Sequence, residues 1–168
     1  MAYSADSFSS LEQPTLAKWN KLWANDAAFN DGSGLPSANA ARGIAVTNES
    51  TTSTSYVKLT TTTDAATVTV GATGKVLVSF GADVALSGGG QALMVFAITG
   101  ATTLTAANAA TAGYNTTSIP NSASFATHDE RSILLTGLAA GSTTFSMYYA
   151  ITSGTGAWRN RIISAVPL

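Results

Sequence analysis

The residues of this 168-residue chain best suited to chemistry stand together as His128-Asp129-Glu130-Arg131, which includes the single histidine. A general-base reading would pair the imidazole with a carboxylate. Adjacent residues of a strand point to opposite faces, so His128 and Asp129 are poorly placed to share one proton. A zinc site through the same histidine and one carboxylate would lack the three or four convergent ligands that the ion needs. The sequence has no HExxH, GxSxG or GxxxxGKS/T pattern, and no lysine follows the glycine run Gly88 to Gly90, so neither a hydrolase site nor a phosphate loop is expected. Asn48-Glu49-Ser50 and Asn115-Thr116-Thr117 match the glycosylation acceptor pattern, a match that threonine-rich sequence produces by chance. Cysteine is absent, which removes thiolate metal sites and disulfides. The expectation is a protein that is not an enzyme, with no catalytic, cofactor-binding or metal-binding residues.

One other set could touch a ligand. Arg159 and Arg161 stand two apart in an extended run, which would put them on one strand face beside Trp158. Such a set can contact an anion, a sugar or a neighbouring subunit. It can equally be a pair of edge charges that discourages strand aggregation.

Eight basic and nine acidic residues leave a net charge of -1, too little for long-range attraction to phosphates, so nucleic acid is not an expected partner. No Asp, Glu, Lys or Arg occurs between Asp83 and Asp129, or between Arg131 and Arg159. That implies a hydroxyl-rich, neutral exterior over much of the fold. No apolar run approaches the roughly 20 residues of a membrane span, and MAYSADSFSS has neither the basic nor the apolar region of a secretory signal. Membrane insertion is not expected.

The elements that must position these residues follow from periodicity. Pro14 suits a first helical position, and Leu16, Trp19, Leu22, Trp23 and Ala27 recur at helical spacing up to the stop signal Asp31-Gly32. The spacing predicts a short amphipathic helix over about 14–30. Its two indoles could bury on the order of 400 Å², and a helix of this length is marginal alone in water. It must therefore dock, and Leu16, Trp19, Leu22, Trp23 and Phe29 are its assembly or anchor residues. Glycine, proline and small polar residues then make a linker. From Ile44 the period changes to two. Ser55/Val57/Leu59, Val68/Val70, Val76/Val78/Phe80, Leu93/Val95/Ala97, Ile133/Leu135, Phe145/Met147/Tyr149/Ile151 and Trp158/Ile162/Val166 read as strands. The run Leu93 to Ile98 is apolar on both faces, so its outer side should be covered, with another subunit as one cover. Thr99 to Thr127 reads as loop with one or two short strands, its alanines interrupted by Thr, Asn and Gly. The expected fold is mainly β, an antiparallel β-sandwich or jelly roll. The expected division is an anchor segment 1–34, a linker 35–43 and a strand domain 44–168.

Three segments carry a family resemblance. PTLAKWNKLWANDAAFNDGSG (Pro14 to Gly34) resembles the opening of many tailed-phage tail and fibre proteins. LTGLAAGSTTFSMYYAITSGTGAWRNRIISAVPL (Leu135 to Leu168) resembles the end of the jelly-roll domain at the tips of phage appendages, and KVLVSFGADVALSGGG (Lys75 to Gly90) fits the same domain. The resemblance implies a head similar to those of tumour necrosis factor and C1q, which commonly form homotrimers. No collagen-like or coiled-coil shaft is present, so a short tail-associated appendage or adaptor is implied. It would be a structural component of the bacteriophage virion, assembled in the host cytoplasm. Other virion proteins would hold its helix, and its head would meet a host surface glycan. The alternative is a capsid decoration, cement or head-fibre protein that stabilises the shell.

Overall fold

The computed structural model describes residues 39–118, 124, 125 and 127–168. The helix expected over 14–30, its anchor residues Leu16, Trp19, Leu22, Trp23 and Phe29, and the linker up to residue 38 lie outside them. The strand domain is a compact unit from Ala40 to Leu168. Its strands are β1 (Ala41–Ala45), β2 (Glu49–Thr51), β3 (Ala65–Val70), β4 (Val76–Ser87), β5 (Ala92–Gly100), β6 (Thr116–Ser118), β7 (Thr127–Leu135), β8 (Gly141–Ile151) and β9 (Thr155–Pro167). One described helix, α1 (Ala106–Thr111), lies between β5 and β6.

All strand pairs are antiparallel, and they nest: β2 with β9, β3 with β8, β4 with β7, β5 with β6. A chain folded back on itself in nested pairs and rolled over a core is a jelly roll. One sheet has the order β1-β9-β4-β7, with β2 also on β9, and the other has the order β3-β8-β5-β6. Between them Val68, Val70, Val76, Val78, Phe145, Met147, Tyr149 and Ile151 point inward as their period predicts. Phe96 sits at the centre, with edge-on contacts to Phe80 at 5.4 Å and Phe145 at 5.9 Å. Each such ring contributes roughly 1.5–3 kcal/mol by leaving water.

Four expectations are corrected. Residues 41–43, read as linker, belong to β1 and pair with Ile163 to Ala165. Gly43 is there for close approach, since a Cβ would lie 2.3 Å from the Ala65 carbonyl oxygen. The run Ser55 to Leu59 is not a strand; it touches the edge of β8 through a single bridge, Val57 to Tyr149. In β9 the inward residues after Trp158 are Arg161, Ile163 and Ala165 rather than Ile162 and Val166, because a bulge inverts the alternation.

The fourth concerns the segment Thr99 to Thr127, where a helix forms after all. The Thr105 hydroxyl caps it by accepting from the Asn108 amide at 3.3 Å. Six residues cannot hold a helix alone; Ala106 and Ala109 hold it by packing on Val95 and Ala97, the outer face of β5. The strand with two apolar faces is therefore covered by its own chain.

Candidate functional site

The bulge in β9 decides the chemistry of the domain. Asn160 takes a left-handed φ of 50°, and opposite it the β4–β9 register shifts between Gly81 and Asp83. Arg159 thus faces outward while Trp158 and Arg161 both turn into the core, each 0% exposed. The three residues read as one contact face are split. Trp158 packs at 5.1 Å on the Tyr149 ring, and neither it nor Arg161 can reach a ligand or a second subunit.

Arg161 is instead the hub of a buried network. Its Nη1 donates to Glu49 Oε2 at 2.8 Å and its Nη2 to the Thr61 carbonyl at 3.1 Å. Its Nε lies 3.5 Å from Asp64 Oδ2, an ion-pair distance without hydrogen-bond alignment. The guanidinium also stands 5.5 Å from the centre of the Tyr149 ring, whose hydroxyl donates to Asp64 at 2.5 Å. Glu49 further accepts from the Thr61 amide and hydroxyl. These bonds fasten the irregular stretch before β3 to β2 and β9. Burial works to raise the Glu49 carboxyl, but the Thr61 and Arg161 hydrogen bonds outweigh it and hold the group below its ordinary value. For Asp64 burial wins, and its carboxyl is raised despite Tyr149 and Arg161. Burial, reinforced by the neighbouring Asp64, pushes the Tyr149 phenol well up.

A second polar group lies on the outside of the first sheet. Asp83 of β4 accepts from His128 Nδ1 of β7 at 2.8 Å, and from Asn160 Nδ2 at 2.8 Å and Arg159 Nε at 3.3 Å on β9. Because a carboxylate only accepts, the Nδ1 atom carries the proton. The other ring nitrogen faces Glu130 at 3.8 Å, and the Arg159 guanidinium lies 4.5 Å over the Phe125 ring. The group joins three strands. The sequence reading weighed His128 against its neighbour Asp129 and passed over Asp83, 45 residues away, because only the β4–β7 register (Asp83 opposite His128) brings them together.

The His128 hydrogen bond, with those of Asn160 and Arg159, holds Asp83 below its ordinary value of 3.8 against the opposing pull of burial. A lowered folded value means stability that is full above the unfolded value and lost as pH falls through the folded one. Glu49 behaves the same way; Asp64, being raised, acts oppositely, favouring the folded chain as pH drops through its raised value. Asp83→Asn should therefore flatten the fall in stability below about pH 4, measured by urea denaturation across that range, whereas an unchanged acid limb would show that the Asp83 contacts contribute nothing.

The rest of that outer face is partly apolar, with Arg42 on β1 and Glu130 on β7 as its exposed charges. Val166, Leu77 and Leu134 stand side by side across β9, β4 and β7, and Ile44 adjoins Ile162. Leu134 is 53% exposed, Ile44 42% and Leu77 37%. Between these rows lies a serine row in which Ser79 and Ser132 hydroxyls bond at 2.7 Å. A recess of about 90 Å³ opens over Gly81, flanked by Ile162, Ser164 and Glu130. A Cβ on Gly81 would lie 2.8 Å from both the Asp129 carbonyl oxygen and Glu130 Cβ, so the backbone approach there requires glycine.

Among the described residues no group of three or more His, Asp or Glu side chains converges on a metal position, and no helix is long and apolar enough to cross a membrane. No family model and no curated protein sequence matches the chain. Among solved structures it is similar to the Eiger TNF of S. frugiperda, with 14% identity and a TM-score of 0.46 over 77% of this chain and 92% of that one. Murine APRIL has 10% identity and a TM-score of 0.46 over 77% and 98% of the two chains. The globular domain of zebrafish complement 1qA has 12% identity and a TM-score of 0.39 over 77% and 97%.

Proposed function

We propose that the chain is a non-enzymatic structural and attachment protein of a tailed-phage particle, a short appendage whose jelly-roll head works as a homotrimer. The observation that carries self-association is the outer face of the β1-β9-β4-β7 sheet. A sheet face turned permanently to water usually alternates with polar or charged side chains. Here Val166, Leu77 and Leu134 form a continuous apolar row across three strands. The charged groups stand around that row, with Arg42 on β1 and the Asp83–His128–Arg159 set further along. The recess over Gly81 has room for one side chain of a neighbouring subunit.

The phage setting and the anchoring role of Leu16, Trp19, Leu22, Trp23 and Phe29 rest on the sequence resemblance. A non-catalytic role is supported by His128, whose ring nitrogens both face carboxylates of its own chain. That geometry suits a strut between strands better than a base aimed at substrate. Multiplied contacts would then supply attachment strength, since linked copies raise effective concentration without new chemistry. The test is light scattering coupled to size-exclusion chromatography on the full chain. Three times the 17.0 kDa chain mass is expected; a stable monomer across the accessible concentration range overturns the reading.

A further inference from the structure

On the opposite side of the domain, where α1 meets β5 and β8, lies a groove of about 380 Å³, within the range of sites that hold small ligands. Its floor is apolar, from Ala97, Ile98, Leu104 and Ala106. Two aromatic rings flank it, Tyr56 and Tyr148, both half-buried and both packed on the Val95–Ala109 cluster that seats the helix. Among the described residues no charged side chain lines it; the Lys58 ammonium stands 5.5 Å from the centre of the Tyr148 ring.

We propose that this groove binds a neutral saccharide. The chemistry of the lining selects that class. Ser55, Tyr56, Thr99, Thr103 and Tyr148 line the groove, and among the described residues none of their hydroxyls has a hydrogen-bond partner. Each can donate and accept. A pyranose offers the complement, with hydroxyls around its rim and an apolar C–H face that lies against an aromatic ring. A purely apolar ligand would leave those hydroxyls unpaired as it excluded their water. An anionic ligand would find no guanidinium in the lining. Ala97, Ile98 and Tyr148 stand on paired strands and Ala106 on the capped helix, while Tyr56 and Leu104 come from connections held to β8 and β5 by the bridges Val57–Tyr149 and Ile98–Leu104.

This inference rests on the attachment reading above and supplies its recognition site. The notion that Trp158 and Arg161 meet a glycan is replaced by a surface that sugars can reach.

The test uses the full chain on an array of neutral and anionic oligosaccharides, followed by calorimetric titration with the best neutral oligosaccharide. At least one neutral oligosaccharide should bind, and Tyr148→Ala should weaken it by about tenfold or more, as loss of a central aromatic anchor does. Thr103→Trp, at an exposed position on the rim, should block the groove without touching the core, and it guards against misreading a folding defect. Binding confined to anionic oligosaccharides, no binding at all, or binding unchanged in both variants overturns the proposal. Light scattering on the same samples separates the two readings. An intact oligomer that binds no neutral sugar sinks the groove alone, whereas a monomer that binds one through Tyr148 sinks the assembly alone.

Discussion

Replacing Arg161 with methionine should destabilise the domain by about 3–5 kcal/mol, the usual consequence of removing one partner from a buried ion pair. Methionine fills much of the same volume, so the loss would come from charge and hydrogen bonding. Two carboxylates would remain at the site, Asp64 with 6% and Glu49 with 15% of its side chain exposed, and both would lose their shared cation. The Thr61 carbonyl would lose its donor as well. Arg161→Lys should recover only part of the stability, because one ammonium cannot reproduce a fork that reaches Glu49, Thr61 and Asp64 from different nitrogens. The triple variant Arg161→Met, Glu49→Gln, Asp64→Asn should be far milder than Arg161→Met alone, since removing all the charges removes the unmatched ones. Urea denaturation of the four proteins decides the matter. A single-variant loss under 1 kcal/mol, or a triple variant no better than the single, would show that the network does not hold the domain in this way.

Leu77→Lys combined with Leu134→Lys should convert the assembly into a folded monomer. The two leucines are register neighbours on the outer face of β4 and β7, and both are already partly open to water in the single chain. Lysine is tolerated at such a strand position, with its charge in solvent. In a packed interface the same charges must be desolvated against an apolar neighbour, without a built partner. The expected weakening of association is about 100-fold or more, read by sedimentation, with unchanged denaturation of the monomer as control. An unaltered oligomer would place the interface elsewhere on the molecule.

Parts of this were legible from residue order. The inward rows of β4 and β8 follow directly from Val76, Val78 and Phe80 and from Phe145 to Ile151, because a strand buried on one face shows that face every second residue. The outer row was less legible, since Leu77 and Leu134 look like ordinary alternation until their strands are placed together. Arg161 was misread for a definite reason. A single residue in the left-handed conformation at Asn160 reverses the alternation, and asparagine, which takes that conformation more readily than most residues, announces it only weakly in Trp-Arg-Asn-Arg. A second signal was present: charges are scarce in this chain, so an arginine within an apolar strand, with Glu49 and Asp64 among threonines elsewhere, hints at a buried partnership. Sequence spacing does not say which charges meet.

Residue order by itself determined the alternating faces of the regular strands and the mainly β character of the strand domain, because those depend on interactions within a few residues. It also supplied the chemistry of each strand. Tertiary structure alone decided that Asp83 faces His128, that Arg161 is enclosed, that α1 covers β5, and that two tyrosines border one groove. Those outcomes depend on register between strands far apart in the chain, where a shift of one residue turns every side chain to the other face.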